Sequence, residues 1–75
     1  MSPRQLPVLS GKRIVGALEK VGFEVVSTRG SHCKLRHVSP PRIVIVPLHD
    51  EVRPGTMASI LRQAGMTADQ IRDLL

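Results

Sequence analysis

Tryptophan and tyrosine are missing from this chain, and phenylalanine occurs once, as Phe23. One ring cannot build a platform for successive bases, so aromatic stacking is excluded as the main way of recognising a nucleic acid. Cysteine also occurs once, as Cys33. An internal disulfide is therefore excluded, the core must hold by packing alone, and a reducing cytoplasm is the expected compartment. Cys33 reads as a core residue, with a free thiol as the alternative. The longest β-type apolar run, Ile43 to Val46, is far too short to span a bilayer, and the first residues lack the apolar stretch of a secretory signal. Nor does any His, Cys, Asp and Glu cluster show metal-ligand spacing, or any glycine-rich loop the pattern of a nucleotide cradle, so neither a metal nor another cofactor is expected.

Negative charge is locally absent. Of the six carboxylates in the 75 residues, none lies between positions 25 and 49, where Arg29, Lys34, Arg36 and Arg42 stand together with His32, His37 and His49. The net charge of +5 is thus concentrated in the middle of the chain. Such a span suits a polyanionic partner, recognised through backbone and shape with a strong dependence on salt.

A chain this short folds as one domain that buries only about 60% of its unfolded surface. Positions 1–9 carry Pro3 and Pro7 without periodicity and read as a flexible N-terminal arm, leaving 10–75 as the domain. Ser10 is a suitable N-cap for a helix with Ile14, Ala17, Leu18 and Val21 on one face, and Gly22 stands where a left-handed cap is wanted. The β-branched stretch from Phe23 to Thr28 and the turn Arg29-Gly30-Ser31 predict a hairpin. In its second strand, His32 to Val38, alternation sets Cys33 and Leu35 against His32, Lys34 and Arg36 on the other face. Ser39-Pro40-Pro41 interrupts, and Arg42 to Val46 forms a third strand ended by Pro47. A polar loop over 48–55 leads to a helix capped by Thr56 with Met57, Ile60, Leu61 and Ala64 on one face, then a short helix opened by a Thr67–Gln70 capping box.

This order predicts an α+β domain with a three-stranded antiparallel sheet and helices on one face. Following the strand directions, His32, the loop carrying His49 and the N-termini of both main helices gather at one end. Helix N-termini carry partial positive charge, so that end suits phosphate.

RNA brings its own nucleophile, the 2′-OH. A protein can cleave it without a metal by removing that proton, stabilising the phosphorane and protonating the leaving oxygen. Histidine, with a reference pKa of about 6.5, does either proton transfer near neutrality. His32 is the candidate catalytic residue, Lys34 and Arg36 stand on the same strand face, and Arg29 belongs to the same basic span. Lys12, a cation at a helix N-terminus, suggests a visiting anion. His49 is the candidate second proton-transfer group, and His37, on the opposite face, is given no function.

The blocks Ser10-Gly11-Lys12, Leu18-Glu19-Lys20-Val21-Gly22-Phe23, Gly30-Ser31-His32, Val46-Pro47-Leu48-His49, Gly55-Thr56 and Ile60-Leu61-Arg62-Gln63-Ala64-Gly65 occur in this order. In order and spacing they resemble the HicA toxin family, also called YcfA-like. That resemblance implies a double-stranded-RNA-binding-like fold, metal-independent cleavage of mRNA within a toxin–antitoxin system, and neutralisation by a HicB-type antitoxin. The family's catalytic histidine corresponds to His32. Two other readings stay open at this point: a non-catalytic RNA-binding module of the same fold acting through a protein partner, and a scaffold or regulator subunit. The latter would use one face of the doubly apolar strand Ile43 to Val46 for docking.

Overall fold

The computed structural model of the chain describes residues 8–75, so the expected arm lies outside the described residues apart from Val8 and Leu9. Ser10 opens the first helix, α1 (Gly11–Lys20), its side-chain oxygen accepting from the Arg13 N–H at 3.2 Å. A side-chain cap of this kind stabilises a helix by about 1 kcal/mol. Ile14, Ala17 and Leu18 turn their shared face into the core, whereas Val21, expected on that face, follows the last helical residue and is exposed. Gly22, at φ +96°, reverses the chain, and the Phe23 N–H returns to the Leu18 carbonyl at 3.1 Å.

Three strands follow, β1 (Glu24–Arg29), β2 (His32–His37) and β3 (Arg42–Pro47), in sheet order β1-β2-β3 and antiparallel throughout. Alternation along β2 is as the sequence predicts, and β3, apolar on both faces, buries only one of them. Cys33, Leu35, Val44 and Val46 are buried beneath the helices, whereas His32, Lys34, Arg36, Ile43 and Ile45 are exposed on the outer face. Cys33 is thus a core residue. β1 differs, because all six of its residues are exposed and Val26 is an extra residue that shifts the register between Val25 and Ser27. Its β-branched composition specifies a strand, but α1 only touches it and α2 packs on β3, so none of its residues is buried.

The helix expected to be capped by Thr56 begins earlier, as α2 (Pro54–Ala64), with Arg53 at the cap position and Pro54 in the first turn. Proline at that place loses no hydrogen bond and has its φ already set for helix, which moves the cap from Thr56 to Arg53. Gly65 ends α2 at φ +69°. Thr67 and Gln70 form the expected capping box of α3 (Ala68–Asp73), which sends Ile71 into the core. The preceding loop is less polar than its composition suggests. Val52 is buried and bridges Leu9, also buried, so the end of the expected arm is part of the packed domain.

Three short motifs meet at one end of this fold. The Leu48 N–H donates to the Ser31 carbonyl, and the Gly11 N–H donates to the His49 carbonyl at 2.9 Å. The segment leaving β3 is thereby held between the β1–β2 turn and the start of α1. Only glycine fits at position 11: a Cβ there would overlap the Pro47 carbonyl oxygen and lie 2.8 Å from Leu48 Cα. Gly11→Ala should therefore cost about 1–3 kcal/mol, the usual penalty for overpacking a tight site. Urea melts would read this as a lower midpoint at constant slope; a variant as stable as the parent would show that this contact is not tight.

Candidate active site

His32 is the first residue of β2, paired with Arg29 on one side and Pro47 on the other. Its side chain is exposed on the outer face of the sheet, where two cavities meet. One, of about 500 Å³, runs toward α2 and is lined by His32, Ile45, Pro47, His49, Glu51, Val52, Arg53 and Thr56. The other, of about 360 Å³, runs across the sheet and is lined by Ser27, Arg29, His32, Lys34 and Ile45. His32 and Ile45 belong to both.

The structure brings together most of the residues singled out in the sequence. His49 reaches the His32 cavity because its own carbonyl is tied to the start of α1, while Thr56 arrives on the first turn of α2. Arg29 and Lys34 reach the other cavity through the register Arg29↔His32 and Ser27↔Lys34, directly opposed residues on one face being neighbours. Two residues stand apart. Arg36, four residues along β2 and so about 13 Å from His32, lines a different cavity with Arg42 and Ile43. Lys12 is exposed on the first turn of α1, next to Gly11, and lines neither of the two cavities at His32.

Two residues of the site, Glu51 and Arg53, carry no signal of their own in the sequence pattern, and Thr56 is marked there only as a helix cap. Glu51 brings a carboxylate to the cavity shared by His32 and His49, so a span without acids in sequence is not without them in space. Arg53 and Thr56 enter with it. The signal available was Pro54, which places the start of α2, and with it the preceding loop, against β3. His37 lies elsewhere, its ring 5.0 Å from that of Phe23 and its Nδ1 3.0 Å from the Pro40 carbonyl oxygen. Among the described residues, no group of three or more His, Cys, Asp or Glu side chains is placed to hold a metal. No helix among them is long and apolar enough to cross a membrane.

Residues 11–66, which carry α1, the sheet and α2, match the family model described as the HicA toxin of bacterial toxin–antitoxin. The chain belongs to the HicA toxin family. Among curated proteins, none matches it. Membership in the HicA family makes the chain a toxin component, whose counterpart is an antitoxin. The matched region ends before α3, so the Thr67 capping box and the Ile71 anchor lie beyond it.

Proposed function

We propose that this HicA-family toxin is an endoribonuclease that cleaves mRNA by proton transfer at His32, and that a HicB-type antitoxin silences it. The observation that carries the reading is the position of His32, exposed where a cavity holding His49 joins one holding Arg29 and Lys34. A ribose-phosphate crossing that junction meets an imidazole and two cations on one side and a second imidazole on the other.

His32 takes the proton of the 2′-OH. The 2′ oxygen attacks phosphorus, the bond from phosphorus to the 5′ oxygen breaks, and His49 returns a proton to the departing oxygen. Arg29 and Lys34 stabilise the charge that builds on the non-bridging oxygens, as fixed donors do at oxyanion sites. Glu51 and Arg53 offset one another on the α2 side, whereas the sheet side carries cations and no acid, so the phosphate sits on the sheet side. Lys12 and Arg36 act as outlying contacts to the strand before and after the cut, positioning RNA without touching the reacting atoms. Recognition is then mostly electrostatic, and affinity falls steeply with salt.

The chemistry is tested by the products and by one blocked substrate. Cleavage should leave a 2′,3′-cyclic phosphate and a 5′-hydroxyl, proceed undiminished in chelator, and stop where the attacking ribose carries a 2′-O-methyl group. Products with a 5′-phosphate, or cleavage at the methylated position, would refute the reading. Binding of RNA without cleavage would favour the non-catalytic module of the same fold.

A further inference from the structure

The sheet has two edges, and they are treated differently. Along β3, α2 covers the edge, with the Gln63 side-chain oxygen accepting from the Ile45 N–H at 2.9 Å. Along β1, nothing among the described residues covers it. All six of its residues are exposed, including Val25 at 43% and Val26 at 53%. An uncovered strand edge with exposed valines is a template for another strand.

The pattern of β1 says which strand. Glu24 pairs with Arg36 and Arg29 with His32, so both Glu24 and Arg29 lie on the outer face. In a regular strand, residues five apart would point to opposite faces; the extra residue at Val26 returns them to one face. Neither has an ion-pair partner among the described residues. A bulged edge fits a regular strand poorly, which disfavours most partners, but a strand with the same bulge has the same number of residues between its ends. We propose that β1 pairs antiparallel with β1 of a second copy across a two-fold axis, joining two sheets into one of six strands.

In that register Glu24 of each copy faces Arg29 of the other, Val25 faces Thr28, and Val26 faces Ser27. The two ion pairs are equivalent by symmetry, as a self-complementary interface requires. The contact is one strand wide, so the dimer is weak and depends on concentration. Arg29 is also a phosphate contact in the ribonuclease reading; to that extent pairing and RNA compete, but the dimer itself does not depend on that reading.

Sedimentation equilibrium of the full chain, from micromolar to near-millimolar concentration, tests this with charge exchange. The parent should dimerise reversibly. Glu24→Arg and Arg29→Glu should each weaken dimerisation about tenfold, since each sets like charges opposite one another at two symmetric places. The double variant Glu24→Arg/Arg29→Glu should restore it. Thermal melts at low concentration check that all four chains fold. A parent that stays monomeric throughout, single variants that dimerise like the parent, or a folded double variant that remains as weak as the singles would each overturn the proposal. If the monomeric parent instead protects its β1 amides from exchange only when antitoxin is added, the edge belongs to the antitoxin. RNA cleavage is measured separately and has no bearing on any of these outcomes.

Discussion

His32→Ala should lower the single-turnover rate of RNA cleavage by about 10²–10⁴-fold, the range that one positioned proton-transfer group contributes, while leaving the fold intact. Stability should hardly change because His32 is exposed at the end of β2 and surface replacements away from special features stay within about 0.5 kcal/mol. The paired measurements are a cleavage time course and a urea melt. Growth arrest on expression should vanish in parallel with cleavage. His49→Ala gives a further distinction. A general acid protonates the departing 5′ oxygen, so its removal should matter little on a substrate with a 5′-thio leaving group, which departs without a proton, whereas removal of the base should slow both substrates alike. If His32→Ala cleaves within twofold of the parent, His32 is not the base and cleavage does not proceed by proton transfer at this site.

The legibility of this site in the sequence depended on how each residue is carried. Arg29, His32 and Lys34 follow from period-two alternation and one turn, both local properties, and they appear together in the structure as the strand pattern implies. Arg36 shares their face by the same rule, but alternation gives the face and not the distance, and two further pairs along β2 carry it to another cavity. Glu51, Arg53 and Val52 depend on the path of an irregular loop. No periodicity encodes that path. It is fixed by tertiary contacts, the Leu9–Val52 bridge and the packing of α2 beside β3.

The fold divides in the same way. The capped starts of α1 and α3, the glycine ends of α1 and α2, and the buried face of β2 are local signals that survive in the structure, whereas the buried face of β3, apolar on both sides, is chosen by the helices above it. The start of α2 was misplaced because Thr56 is a good cap in isolation, whereas Pro54 settles the first turn by its fixed φ. The exposure of β1 could not be read, since burial of a strand depends on what lies over it. Its composition is that of a half-buried strand, yet the helices pack mainly elsewhere and leave all six residues exposed.

The largest effect on stability is expected at Leu35, on the centre strand. Leu35 is fully buried and pairs with Val25 on one side and Val44 on the other, so its side chain lies in the middle of the only apolar layer the described residues build. Leu35→Ala removes that burial and leaves a cavity that flanking strands cannot fill, at a cost of about 2–5 kcal/mol. A domain of this size has roughly 4–11 kcal/mol in all, and no disulfide makes up the loss. The urea midpoint should fall sharply, and the melting temperature by roughly 4–8 °C for each kcal/mol lost. Ile43→Ala, on the outer face of β3 and 47% exposed, removes a side chain of similar size and should cost under about 1 kcal/mol. Equal losses in the two variants would mean that the outer face is covered too, and His32, which shares that face, would then be closed to RNA. A large difference keeps the core on one side of the sheet and the imidazole free on the other.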